Sequence, residues 1–145
     1  MACWIASSRR RGAMGALLAC LSVLRGAGAT EGSADGLYSD AQAARGESVY
    51  QQYCAVCHGP SLQGNPAAPL TGPAFRARWE DGRHTLDDLF FIVRSLMPNN
   101  APGSLSKAQY ADVVAYILKV NGYPAGDAEL IPTAAAMKKV TLQPR

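Results

Sequence analysis

Cys54-Ala55-Val56-Cys57-His58 places two thiols two residues apart with an imidazole directly behind the second, and no other stretch restricts the fold as strongly. The chain has four cysteines, but Cys3 and Cys20 fall in a leader-like N-terminus. There Arg9, Arg10 and Arg11 precede an apolar, small-residue run over residues 12–24, and Ala27-Gly28-Ala29 then offers an A-x-A cleavage site. Residues 1–29 are read as a secretory signal peptide that is removed, which leaves Cys54 and Cys57 in the mature chain. The apolar run is short of the roughly 20 residues a permanent membrane helix needs. No other segment approaches that length, so no stable membrane span is expected.

Several uses of the cysteine pair compete. Exported proteins usually tie their cysteines into disulfides, but a bridge across two residues is strained and closes almost no loop. A thioredoxin-like redox pair would sit in a βαβ pattern, which the flanking sequence lacks. Zinc would find only His58 and His84 as further imidazole ligands. The remaining use is covalent haem: C-x-x-C-H is the c-type attachment pattern. The two thiols add across the vinyl groups on one porphyrin edge, and the histidine that follows is held beneath the iron.

Export changes how the charge is read. The full chain carries 14 basic and 11 acidic residues. Four of the arginines and none of the acids lie within residues 1–29, so the other 116 residues carry ten basic against eleven acidic groups. The basic character belongs to the leader, and nucleic acid is excluded as a partner. Leu17-Leu18-Ala19-Cys20 offers a lipid anchor at Cys20 as the alternative to signal-peptide cleavage. Bulky Leu18 and the apolar sequence beyond the cysteine disfavour it. Ser8-Arg9-Arg10-Arg11 weakly resembles a twin-arginine signal, which exports folded proteins and so does not suit a chain that must accept haem unfolded. The expected location is periplasmic.

Helical periodicity dominates the remainder. Ser39 with Gln42 forms a capping-box pattern, and Ala43, Gly46, Tyr50 and Tyr53 share one face of a helix running from about Asp40 into the cysteine motif. Thr85 caps a second helix with Asp87 and Asp88 in its first turn, and Leu86, Leu89, Phe90 and Val93 form its apolar stripe. Ser106 with Gln109 opens a third, whose Tyr110, Val113, Val114, Ile117 and Leu118 face inward until Asn121-Gly122 ends it. With no strand pattern, the expectation is an all-α domain over residues 40–122. Residues 30–39 form a short linker before it, and residues 123–145 a tail or strap after it. Gly46, mid-helix at a cost of about 1 kcal/mol relative to alanine, is read as the point where the first and last helices cross.

Gly46-x-x-x-Tyr50-x-x-x-Cys54-Ala55-Val56-Cys57-His58-Gly59 resembles the opening motif of the class I c-type cytochromes, and the resemblance extends from about residue 44 to about residue 121. It implies the cytochrome c fold, about three main helices wrapped round one haem c held by Cys54 and Cys57, and an electron carrier rather than an enzyme. It also points to Tyr116 as the ring that packs on Gly46.

Met97, Met137 and His84 are the credible candidates for the far side of the iron. Met97 stands where Pro98 ends the second helix, and Pro98 with Pro102 stiffens the loop behind it. This Met-Pro stretch is similar to the sixth-ligand loop of the family, so His58 and Met97 are taken as the axial ligands. The alternative for Met97 is simple core filling. His/Met ligation favours a high potential and little reorganisation, both suited to electron transfer.

The outer nitrogen of His58 should bond a backbone carbonyl. Family members commonly use the proline of a Pro-x-Leu-x-Gly stretch. Aligning Leu70 and Gly72 here puts Ala68, not Pro69, in that place, which leaves the acceptor open. Trp79 is read either as a haem-edge residue or as a core aromatic, and Arg76, Arg78 and Arg83 as solvated or facing the propionates.

The later stretch, Met97-Pro98 through Ala101-Pro102-Gly103-Ser104-Leu105-Ser106 to Asn121-Gly122-Tyr123-Pro124-Ala125-Gly126, resembles cytochromes that accept electrons from quinoprotein dehydrogenases. That implies such a dehydrogenase as donor and an oxidase or another cytochrome as acceptor. Two other readings stay open. One is a haem enzyme or gas sensor with an open iron position. The other is a permanent subunit of a dehydrogenase or oxidase complex that uses residues 123–145 as a docking arm.

Overall fold

The computed structural model describes residues 36–144. The expected signal peptide over residues 1–29, the alternative lipid site at Cys20 and most of the expected linker lie outside the described residues. Among the described residues six helices follow one another: α1 (Asp40–Tyr53), α2 (Ala55–His58), α3 (Gly72–Trp79), α4 (Leu86–Leu96), α5 (Lys107–Val120) and α6 (Ala134–Met137). Among the described residues the only β-type pairing is an isolated antiparallel bridge between Thr85 and Thr141. The fold is all-α, as expected.

The three main helices begin where their caps require. Ser39 is extended, and its hydroxyl accepts the Gln42 N–H at 3.1 Å, satisfying one of the free amides at the start of α1. The capping-box expectation fails in its second half. Gln42 is buried and turns to the tail instead: its Nε2 donates to the Leu130 carbonyl at 3.1 Å and its Oε1 accepts the Leu130 N–H at 2.7 Å. At α4 both halves of the box form between Thr85 and Asp88, and at α5 both form between Ser106 and Gln109.

α4 buries Leu86, Leu89, Phe90 and Val93, the stripe its period predicts. Each full burial of such a side chain contributes about 1.5–3 kcal/mol relative to exposure. α5 is buried almost all round, with Ala111, Asp112, Ala115 and Tyr116 joining the predicted inner residues. A helix enclosed on most sides needs partners on more than one face, and α1 and α4 both pack against it. At its end the Gly122 N–H bonds the Lys119 carbonyl at 2.9 Å and the Tyr123 N–H bonds the Leu118 carbonyl at 3.1 Å, a Schellman arrangement made possible by Gly122 at φ 83°.

The helices α1 and α5 cross at Gly46. The closest neighbour there is the backbone of Asp112, with the Tyr116 Cβ next, at 3.0 Å from where a Gly46 Cβ would stand. The Tyr116 ring also packs on Tyr50, with centroids 5.4 Å apart, so the close approach at Gly46 is main chain on main chain with the Tyr116 side chain beside it. Arg45 clamps the same crossing through Nε to Asp112 Oδ2 at 3.1 Å and Nη2 to Asp112 Oδ1 at 3.0 Å. Tyr53, placed on the inner face by periodicity, is instead 37% exposed at the end of α1.

Two elements had no strong sequence signal. α3 carries Pro73 near its start and buries only Phe75 and Trp79, one turn apart, too thin a stripe to stand out among its arginines. α6 is capped by Thr133 and contributes Met137, which is wholly buried. The Leu86 N–H bonds the Val140 carbonyl at 2.8 Å, and Leu130 and Leu142 are also buried, so residues 123–144 lie along the helices.

Candidate functional site

Cys54 ends α1 and begins α2. Its N–H bonds the Tyr50 carbonyl at 2.8 Å, and its own carbonyl accepts from Cys57 N at 3.1 Å and His58 N at 3.0 Å. A single helical turn therefore spaces the two thiols and the imidazole. Gly59 stops it at φ 78°, a left-handed conformation that side chains disfavour. The Tyr50 hydroxyl donates to the Gly59 carbonyl at 2.6 Å from within the core, pinning the motif to the helix that leads into it.

The chain then folds back across the end of α2. Gly64 N–H bonds the His58 carbonyl at 2.8 Å, and Ala67 N–H bonds the Cys57 carbonyl at 2.9 Å. These bonds satisfy carbonyls the short helix leaves open, and they deliver the next residue to the histidine. The Ala68 carbonyl lies 2.8 Å from His58 Nδ1. The acceptor left open by the sequence is thus Ala68. Asn121, at the end of α5, steadies this loop by donating Nδ2 to the Leu70 carbonyl at 2.9 Å while also bonding the Ile117 carbonyl at 2.9 Å.

A carbonyl only accepts, so Nδ1 carries the proton, and in the neutral ring Nε2 then keeps its lone pair. That is the tautomer an iron ligand requires. Both thiols are free. The Cys54 thiol is half-buried and pushed up to about 11, first by burial and then by the neighbouring Cys57, whereas Cys57 is exposed. Two unbridged thiols on one turn, followed by an imidazole whose outer nitrogen is already engaged, fit a covalently attached haem.

Met97 caps the C-terminus of α4 in extended conformation, with φ −121° and ψ 154°, and is half-buried. Its carbonyl accepts the Tyr110 hydroxyl at 2.7 Å and the Gly103 N–H at 3.3 Å. The motif and Met97 thus come from the ends of α1 and α4, both packed on α5. Of the other two candidates, Met137 is in the core, and His84 bonds Asp81 Oδ2 through Nδ1 at 2.9 Å. Trp79 is a buried aromatic with Phe75 at 6.5 Å and the His84 ring edge-on at 5.4 Å. Arg78 lies 5.1 Å over its ring. Sequence reasoning missed Tyr110 and Asn121 as supports of the site. Both read as ordinary members of a helix stripe and its cap, and neither shows its hydroxyl or amide partner until distant segments meet.

Residues 41–117 match the family described as cytochrome c oxidase, cbb3-type, subunit III, a span that holds Cys54, Cys57, His58 and Met97. The chain is 35% identical over 80 residues to a thiosulfate dehydrogenase of Stutzerimonas stutzeri, covering 51% of this chain and 26% of the relative. It is 31% identical over 94 residues to the cbb3-type cytochrome c oxidase subunit CcoP of Rhodobacter capsulatus, covering 57% of this chain and 32% of the relative. The chain therefore spans only about a quarter to a third of these curated relatives. With the match reaching over more than half its length and the attachment turn formed as described, the chain belongs to this family of class I c-type cytochromes and binds haem c covalently through Cys54 and Cys57.

Proposed function

We propose that the protein is a periplasmic single-electron carrier whose haem is ligated by His58 and Met97. The observation that carries this reading is the His58 Nδ1 contact with the Ala68 carbonyl, which orients the ring and leaves its other nitrogen as a donor. Haem c, when bound, supplies one reversible electron through its iron. His58 and Met97 are neutral donors and add no negative charge to offset an oxidised centre, so burial favours the reduced state and raises the potential. A second protein ligand also closes the position a substrate would need. No catalytic residues and no substrate site of its own are assigned.

The donor is proposed to be a quinoprotein dehydrogenase, on the resemblance of residues 97–126, and the acceptor an oxidase or a further cytochrome. Leu130, Met137 and Leu142 are buried against the chain's own helices, and Gln42 holds Leu130 by both its N–H and its carbonyl. These contacts favour a strap over a docking arm for residues 123–145, and so a freely exchanging carrier over a permanent subunit. The 35% identity to a thiosulfate dehydrogenase supports the second reading, an enzyme, which would need an open iron position.

An optical spectrum of the haem-loaded protein, oxidised and reduced, beside Met97→Ala separates the two. A weak far-red sulfur-to-iron band in the oxidised wild type that vanishes in the variant supports His/Met ligation. No such band, carbon monoxide binding readily to the reduced wild type, and turnover of thiosulfate would replace the carrier reading with the enzyme one.

A further inference from the structure

Among the described residues, one side chain from outside the loop behind Met97 hydrogen-bonds both of its ends. Tyr110, the fourth residue of α5, is 1% exposed. Its hydroxyl donates to the Met97 carbonyl at 2.7 Å and accepts the Leu105 N–H at 3.3 Å. Met97 and Leu105 bracket residues 98–104, so a single phenol joins both ends of the segment. The backbone bonds inside it are local: Gly103 N–H to the Met97 carbonyl at 3.3 Å, Ala101 N–H to the Pro98 carbonyl at 2.8 Å and Ser104 N–H to the Ala101 carbonyl at 3.2 Å. Residues 99–104 are exposed. Of these, the Gly103 bond ties the loop to the α4 C-cap, where the Met97 N–H bonds the Val93 carbonyl at 3.3 Å; none of them reaches α5.

We infer that Tyr110 is the positioning residue of the axial methionine: its buried hydroxyl fixes the backbone from which Met97 reaches the iron, and thereby limits how often the thioether leaves. The inference rests on the ligand reading of Met97. A ligand that enters only when the thioether has left binds with an apparent affinity reduced by the fraction of time the position is open. Removing the hydroxyl while keeping the ring should raise that fraction by about tenfold, the scale of one to two net hydrogen bonds.

The test uses the full haem-loaded chain as wild type, Tyr110→Phe, Met97→Ala and Val114→Ala. Val114 is wholly buried on the same helix, and its truncation destabilises the core without touching the loop's hydrogen bonds. Imidazole is titrated into the oxidised proteins while the far-red band is followed, and the rate of carbon monoxide binding is measured on the reduced ones. Tyr110→Phe is expected to keep the band, to yield it at about tenfold lower imidazole, and to bind carbon monoxide about tenfold faster. Met97→Ala sets the fully open limit. Val114→Ala should lower the melting temperature and leave both ligand readouts at wild-type values. Wild-type imidazole affinity in Tyr110→Phe overturns the inference, as does an equal shift in Val114→Ala, which would make the effect one of general stability. A wild type that never shows the band overturns the ligand assignment itself, and the inference falls with it.

Discussion

At the crossing of α1 and α5, Gly46 meets the backbone of Asp112 so closely that a β-carbon would overlap the Asp112 carbonyl and stand 3.0 Å from the Tyr116 Cβ. The neighbour is main chain, which cannot swing aside, so the helices must separate to admit a methyl group. Alanine would gain about 1 kcal/mol of helix propensity and lose more to overpacking. Gly46→Ala is therefore expected to cost about 2 kcal/mol net and to lower the melting temperature of the haem-loaded protein by on the order of 10 °C. An unchanged melting temperature would show that the crossing is looser than its geometry.

Gln42→Ala removes both bonds to Leu130 and leaves a buried N–H and carbonyl without partners. The expected loss is about 2–3 kcal/mol, felt first as local opening of residues 123–133 rather than as global unfolding. Limited proteolysis read by mass spectrometry should show new cleavage in that segment at temperatures where the wild type is intact. Cleavage starting elsewhere would contradict the assignment of Gln42 as the clamp.

Asp81 accepts the backbone N–H groups of His84 and Arg83, which with the His84 side chain hold its carboxyl down at about 2, from an ordinary 3.8. A carboxyl lowered in the folded state contributes stability that is present above the ordinary value and lost as pH falls through the folded one. Asp81→Asn keeps an acceptor but not the charge. Wild type should melt higher than the variant at pH 6, and the difference should shrink between about pH 4 and pH 2. A gap that persists at pH 2 would place the effect in packing.

Replacing one attachment cysteine by serine should leave haem joined through a single bond. In Cys54→Ser or Cys57→Ser the freed vinyl group extends the porphyrin conjugation, so the main visible band of the reduced protein moves to longer wavelength, while the haem resists extraction by acidified acetone. The double variant should release its haem on extraction. Release from either single variant would mean that only one of the two thiols forms the bond.

What could be read from the sequence was local. The spacing of Cys54, Cys57 and His58, the caps at Ser39, Thr85 and Ser106, the stripe of α4 and the stop at Asn121-Gly122 all depend on residues within a few positions of one another, and helical geometry turns such spacing directly into structure. The attachment chemistry, the all-α class and the three main helices were legible for that reason. α3 was not, because its burial rests on two side chains, Phe75 and Trp79. Nor was the turning of Gln42 from its own helix cap to Leu130, 88 residues away, since a glutamine at that position serves either partner equally until the tail arrives. The same holds for Tyr110 beneath Met97 and for Asn121 against Leu70, 51 residues apart. Long-range packing decided which hydroxyl, amide and carbonyl met, because a buried polar group takes whichever partner the fold brings within reach. The sequence alone determined the chemistry of the site; the tertiary structure decided what holds it in place.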